Sequence, residues 1–210
     1  MPQQTSKENA TDLRHKIARE AAALLYFGLE KEYKQAKVKA AQDIGAHVLP
    51  SNLEVALEMD KVAEETEGSA RTERLIQMRT KALKVMKMLE AYCPVLIGSV
   101  WRGTIRRGSD IDVETFRDEP QKIVTLLKAG GLKILRTEWM TVTEHGKTEA
   151  SFHIHAELAG ACPVEIVVRT SEEAGRKRTC DTFGDQIKGV TIRELEKLLK
   201  EDPAKKFIPS

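Results

Sequence analysis

Hydrophobic positions divide the chain into a helical part followed by a part built from short strands. From Asp12 to about Ile44, apolar residues recur at spacings of three and four, which predicts a helix. Gly28 is expected to break or kink this segment. A second helix is predicted from Ser51, where Ser51 and Glu54 form a capping-box pattern, to about Glu67.

A third predicted helix carries the clearest apolar stripe in the chain. It begins near Ala70 and ends before Pro94, and its apolar positions are Leu75, Met78, Ala82, Val85 and Leu89. Such a stripe needs a partner surface, and the strands begin only a few residues later. We therefore predict an N-terminal helical region, residues 1–90, packed on a core with a C-terminal helix, residues 91–210.

Beyond Pro94 the chain changes to short runs rich in β-branched residues, which predict strands. The runs are VLIGSV, DIDVETF, LKILRTEWMTVT, ASFHIHAEL and CPVEIVVR. A short helix, Asp118 to Leu127, is predicted after the second run, and EHGK predicts a hairpin turn after the third. Thr191 and Glu194 begin a final helix in capping-box spacing. The order is three helices, then β, β, α, β, β, β and a helix, which predicts an α+β fold.

Composition narrows the class of protein. The 210 residues are 41% apolar and 31% charged with a net charge of +2, which argues against a strongly basic nucleic-acid protein and against an acidic disordered one. Cys93, Cys162 and Cys180 form no paired motif, so no zinc site or disulfide framework is predicted. The polar N-terminus and the lack of long apolar runs predict a soluble, cytoplasmic protein without membrane contact, whose oligomeric state stays open.

Two carboxylates one residue apart are the first candidate for chemistry. In a strand, Asp110 and Asp112 project from one face, about 6–7 Å apart, while Ile111 and Val113 point into the core. Carboxylates on one face repel each other unless a cation lies between them. Their hard oxygen ligands suit Mg²⁺ or Mn²⁺, and Glu114 continues the same face. An Asp-x-Asp on an edge strand can also be only a solvated face.

The residues just before the aspartates are of types that bind phosphate. Gly98 allows a tight turn after an apolar strand, and the Ser99 hydroxyl can donate to phosphate oxygens. Three arginines supply positive charge, and two further glycines keep the loop compact: Arg102, Arg106, Arg107, Gly103 and Gly108. Phosphate donors followed by metal ligands match what transfer from a metal-bound nucleoside triphosphate requires.

The stretch GSVWRGTIRRGSDIDVETF resembles the signature of the DNA polymerase β-type nucleotidyltransferase superfamily, which is Gly-Ser, a loop, then Asp-x-Asp on the next strand. Its extended form is similar to archaeal-type CCA-adding tRNA nucleotidyltransferases and oligoadenylate synthetases. The resemblance covers about Leu83 to Arg169 and implies a mixed, mostly antiparallel sheet flanked by helices. It also implies a set of nucleotide-binding residues: Gly98, Ser99, Arg102, Gly103, Thr104, Arg107 and Ser109.

The resemblance further implies a third carboxylate on a later strand. The candidate is Glu165, where the family most often has Asp, and Glu157 is the alternative. Asp110, Asp112 and Glu165 would be the catalytic residues and the ligands of Mg²⁺ or Mn²⁺. They would move a nucleoside monophosphate from a triphosphate, with ATP the favoured donor, to a hydroxyl of RNA, a protein or a small molecule. Pyrophosphate would leave.

Other interpretations of the sequence remain open at this point. The chain can instead be a non-catalytic nucleotide- or RNA-binding module, or an antitoxin-like partner protein. His153 and His155 share a strand face and, with Glu157, can line the acceptor side or bind a metal; the alternative is that they are surface or hydrogen-bonded residues. The basic run Arg176 to Arg178 can contact triphosphate or RNA, or be a solvated loop. Trp101 can stack on a base or pack inside the protein.

Overall fold

The computed structural model describes residues 3–144 and 147–209 and divides into two compact units. The first comprises the residues up to Arg71 together with Thr179–Asp185, and the second comprises Thr72–Arg178 and Gln186–Ile208. Across these described ranges, no helix combines the length and apolar character needed to cross a membrane.

The first unit is helical. Its helices are α1 (Gln3–Tyr26), α2 (Tyr33–Ile44) and α3 (Asn52–Glu67). The predicted break near Gly28 is confirmed, because Gly28 adopts a positive φ of 72° between the first two helices. The helix before it begins at Gln3, earlier than the predicted Asp12.

Capping and a separate apolar core stabilise this unit. The predicted capping box is present, since the Glu54 amide donates to Ser51 Oγ at 3.2 Å and the Ser51 amide donates to Glu54 Oε2 at 2.6 Å. Small and branched side chains from the three helices form the core, among them Ile17, Ala21, Ala40, Val55 and Val62.

The second unit contains the sheet. Its elements are α4 (Ser69–Met88), β1 (Val95–Ile97), α5 (Gly98–Arg102), β2 (Ile111–Phe116), α6 (Pro120–Ala129), β3 (Lys133–Glu144), β4 (Lys147–Leu158), β5 (Cys162–Arg169) and α7 (Ile192–Glu201). The boundary between the units falls in the first turn of α4. The second predicted capping box also forms, because the Thr191 amide donates to Glu194 Oε2 at 2.8 Å at the start of α7.

The five strands form one mixed sheet in the order β1-β2-β5-β4-β3. The β2 and β5 strands are parallel, and the other neighbours are antiparallel. This confirms the predicted α+β class, a mostly antiparallel mixed sheet flanked by helices with a helical region before it. The apolar stripe of α4 shares a core with residues of the sheet, including Leu75, Val85, Leu89, Leu96, Val113, Ile154 and Ile166.

The run VLIGSV is not a strand throughout, because β1 ends at Ile97 and the next five residues form α5. The reason is Gly98, whose φ of +70° turns the backbone out of the extended conformation. The predicted hairpin turn at EHGK includes His145 and Gly146, which lie outside the described residues.

Candidate functional site

Three carboxylates meet where β2 begins. Asp110, Asp112 and Glu165 each offer an oxygen, and these oxygens all lie within 4.8 Å of one another. Strand pairing explains the arrangement, because Asp112 and Glu165 are direct partners across the parallel pair β2 and β5. Ile111 and Val113 are completely buried on the opposite face of β2. The strands therefore hold three acidic groups on one face.

The two remaining candidate carboxylates lie elsewhere. Glu157 is near the end of β4, and its Oε2 lies 3.6 Å from Lys133 Nζ. Glu114 continues the face of the aspartates in the sequence and could have added to the acidic group, but it is only 4% exposed. Arg169 Nε donates to its Oε1 at 2.6 Å, and Arg178 binds its other oxygen. Because both oxygens of Glu114 are neutralised by arginine, this residue is not available to the group.

The environment of the aspartates opposes their ionisation. Burial raises the pKa of Asp112 to about 8, and the negative charges of Asp110 and Glu165 add to the effect. Burial also raises the pKa of Asp110. Neither aspartate forms an ion pair with Lys or Arg in the part of the chain that the structure describes. The three carboxylates could hold a divalent metal ion, which would offset their repulsion.

The stability of the metal-free protein is expected to fall as the pH rises from about 4 to about 8. The carboxyl of Asp112 ionises near 3.8 in the unfolded chain but only near 8 in the folded protein, so deprotonation favours unfolding across this interval. Denaturant titrations in EDTA at several pH values measure the effect, and Asp112→Asn should flatten the curve. Equal slopes for the two proteins would contradict the assignment.

A glycine allows the turn before α5 to approach the acidic group. Ile97 pairs with Asp112 across β1 and β2, so the following residue, Gly98, lies against the Asp112 carboxylate. A Cβ atom placed on Gly98 would be 1.9 Å from Asp112 Oδ2. Ser99 follows in the first turn of α5, where its carbonyl accepts a hydrogen bond from the Thr104 amide at 3.0 Å. The Gly98 turn therefore lies directly beside the Asp112 carboxylate.

Gly98→Ala is expected to abolish metal binding by displacing the Asp112 carboxylate. The matched control is Gly108→Ala, because Gly108 has a similar φ of +77° but no atom within 4 Å of an added Cβ. Both variants should lose about 1 kcal/mol or more through backbone strain. Only Gly98→Ala should lose saturable Mn²⁺ binding in a calorimetric titration. Equal Mn²⁺ affinity in the two variants would show that the close approach does not matter.

The other candidate nucleotide-binding residues occupy different environments. Ser109 Oγ accepts a hydrogen bond from the Arg106 amide at 3.0 Å, so its side chain holds the loop. Gly103 packs against the C-terminal segment, since an added Cβ would be 3.0 Å from the Lys205 carbonyl oxygen. Thr104 is half-buried, and Arg107 is exposed.

Arg102 was predicted to bind phosphate, but its surroundings argue against that role. It is 4% exposed, its Nη1 donates to the Phe207 carbonyl at 3.1 Å, and its guanidinium lies 4.6 Å from the centre of the Trp101 ring. The Trp101 ring stacks on Phe207 with centroids 6.2 Å apart. Trp101 therefore packs inside the protein, and its ring does not offer an exposed surface on which a base could stack.

The basic run at residues 176–178 is largely neutralised. Arg176 Nη1 lies 2.6 Å from Glu149 Oε1, and Arg178 binds Glu114. Lys177 is exposed. Two of the three basic residues therefore pair with carboxylates on the sheet. Among the described residues of this run, Lys177 is the one that could contact a ligand through its charge.

Sequence reasoning missed a buried arginine that orders α5. Arg79 on α4 is fully buried, and it donates to the carbonyls of Val100 at 3.0 Å, Trp101 at 2.7 Å, Pro203 at 2.7 Å and Lys205 at 2.9 Å. Burial lowers its pKa to about 10, so it remains a cation at neutral pH. The arginine lies beside the apolar stripe of its helix, and nothing in the local sequence distinguishes it from a solvated one.

Comparison with known proteins does not identify a family for this chain. No protein-family model matches the chain, and no curated protein matches it. One similar solved structure is that of a cytoplasmic RNA terminal U-transferase, with 16% sequence identity and a TM-score of 0.32. The similarity covers 52% of this chain and 34% of that one, so this chain spans about a third of the length of its structural neighbour.

Proposed function

We propose that this protein is a metal-dependent nucleotidyltransferase. It would move a nucleoside monophosphate from a nucleoside triphosphate to a hydroxyl acceptor and release pyrophosphate. The observation that carries the proposal is the group Asp110, Asp112 and Glu165, whose oxygens lie within 4.8 Å of one another and against the Gly98 turn.

The chemistry of the donor set fits a divalent cation. Three carboxylate oxygens are hard ligands, which Mg²⁺ and Mn²⁺ prefer. Burial raises the pKa of Asp112 to about 8, and the negative charges of Asp110 and Glu165 add to the rise, so a bound cation would stabilise the ionised carboxylate. Bound divalent ions would polarise the phosphoryl group being transferred and favour deprotonation of the acceptor hydroxyl.

Residues of this chain would hold and orient the reactants. Asp110 and Asp112 would fix the metal beside the triphosphate, and Glu165 would complete the ligand set on the side of the acceptor. The Ser99 hydroxyl and the Gly98 amide would donate to phosphate oxygens, and Arg107 would supply positive charge from the loop. ATP is the favoured donor, and RNA, a protein or a small molecule would supply the hydroxyl.

Ser99→Ala is expected to weaken triphosphate binding by roughly tenfold or more. The change removes one donor to a charged group, which contributes about 1.5–3 kcal/mol. Equilibrium titration with a fluorescent ATP analogue measures the change. Ser171→Ala is a suitable control, because Ser171 Oγ bonds to Asp118 beyond the opposite end of β2. Unchanged affinity in the Ser99 variant would place the phosphate site elsewhere.

The acceptor can be identified by following a labelled nucleotide. The purified protein is incubated with each α-labelled nucleoside triphosphate, Mg²⁺ or Mn²⁺, and separately with cellular RNA, protein or small-molecule extract. The proposal predicts label in one of these fractions. Failure of every triphosphate to label any fraction, while the protein still binds nucleotide, would support the non-catalytic binding module instead.

A further inference from the structure

A line of three hydrogen-bonded side chains leads across the sheet to the acidic group. Ser151 Oγ lies 2.9 Å from His153 Nε2, and His153 Nδ1 lies 2.6 Å from Glu165 Oε1. An ionised carboxylate only accepts hydrogen bonds, so Nδ1 is the donor. Ser151 is 6% exposed, and the side chain of His153 is 14% exposed. The line is therefore largely shielded from water.

Strand geometry produces this line. Ser151 and His153 are two residues apart in β4 and share a face of the sheet. His155 is the direct partner of Glu165 across β4 and β5, which makes His153 its diagonal neighbour. His155 lies directly opposite Glu165 but is not its hydrogen-bond partner. His155 Nε2 lies 3.9 Å from Glu165 Oε1, beyond hydrogen-bonding distance, and 2.9 Å from Glu138 Oε1.

We infer that His153 is a positioning residue for the metal centre, an inference that rests on the proposed function. Its Nδ1–H holds one oxygen of Glu165 and so fixes the rotamer in which this carboxylate joins Asp110 and Asp112. Ser151 holds the far side of the imidazole and fixes the plane of the ring. Hydrogen bonds that orient metal-binding carboxylates commonly change metal affinity by about 10–100-fold when removed.

The same order of groups occurs in serine hydrolases, where the serine is the nucleophile. Here Ser151 is buried and lies within β4, paired with Met140 of β3. A nucleophilic serine needs access to substrate, and 6% exposure does not provide it. The geometry thus favours orientation of Glu165 over attack by Ser151, and the experiment below separates the two.

The test is a titration of Mn²⁺ into the full-length protein without nucleotide, followed by the electron paramagnetic resonance signal of the free ion. His153→Ala should bind Mn²⁺ at least about tenfold more weakly than the wild type. His153→Asn keeps an N–H near the position of Nδ1 and should recover most of the affinity. His155→Ala is the comparison variant and should lose less affinity than His153→Ala, since His155 lies 3.9 Å from Glu165 and forms no hydrogen bond with it.

Each remaining outcome decides between the alternatives. Wild-type affinity in His153→Ala, while the wild type binds Mn²⁺ and transfers nucleotide, would overturn the positioning role and leave the proposed function intact. A wild type that neither binds Mn²⁺ nor transfers would instead refute the proposed function. Labelling of Ser151 by a fluorophosphonate would show a nucleophile and also overturn the inference. Should His153→Ala not fold, His153→Phe, which keeps the ring and lacks the donor, takes its place in the comparison.

Discussion

Asp110→Asn or Asp112→Asn is expected to lower nucleotidyl transfer by at least roughly a thousandfold, which is about 4 kcal/mol of transition-state stabilisation. The physical reason is loss of a ligand from the group whose oxygens lie within 4.8 Å of one another. The same changes remove a half-buried acidic group whose ionisation is opposed by burial and by its acidic neighbours, so the melting temperature in EDTA should stay the same or rise.

Ligand-dependent stability provides the second measurement of these variants. Mg²⁺ with triphosphate should raise the melting temperature of the wild type but not of the aspartate variants, because a ligand stabilises only the state that it binds. Glu165→Gln should lose transfer yet keep more nucleotide binding. Glu157→Gln is the matched control, since Glu157 lies on β4 near Lys133, outside the acidic group. A wild type whose melting temperature responds to neither ligand would favour the interpretation as an antitoxin-like partner protein.

Among substitutions in the second unit, Arg79→Met is expected to lower the free energy of unfolding most, by at least about 3 kcal/mol. The variant removes a charged donor from four carbonyl groups, two of them in α5 and two near the C-terminus. For a chain of this size the melting temperature should fall by on the order of 10 °C. Nucleotide binding should weaken as well, because α5 carries Ser99.

The control for this change is Lys84→Met, an exposed basic residue on the same helix. It loses the same formal charge without breaking a buried hydrogen bond, and its effect should stay within about 0.5 kcal/mol. Arg79→Lys should give an intermediate result, since one ammonium group cannot reach all four carbonyls. Equal melting temperatures for the Arg79 and Lys84 methionine variants would show that the buried arginine does not order this region.

Local sequence was sufficient for features that depend on near neighbours. The two predicted capping boxes, at Ser51 and Thr191, lie where the spacing predicts them. Alternation along β2 separates the two aspartates from Ile111 and Val113, as expected of a strand with one buried face. The expectation for Glu165 also needed the family resemblance, because alternation alone does not say which distant strand lies beside β2.

Features that depend on distant partners were not predictable in this way. Glu114 shares a face with the aspartates, but Arg169 and Arg178 come from later segments and bind it. Arg102 belongs to a basic loop by sequence, yet Phe207 contacts its side chain from the far end of the chain. The link between His153 and Glu165 requires the register of β4 on β5, which no spacing along one strand contains.

The most direct test of the central claim uses ATP labelled at either the α- or the γ-phosphate, with Mg²⁺ and the identified acceptor. The account predicts that the α-label passes to the acceptor and that the γ-label leaves as pyrophosphate. The variant carrying both Asp110→Asn and Asp112→Asn should neither transfer the α-label nor release labelled pyrophosphate. Passage of the γ-label to the acceptor, or transfer at the wild-type rate by the double variant, would contradict it.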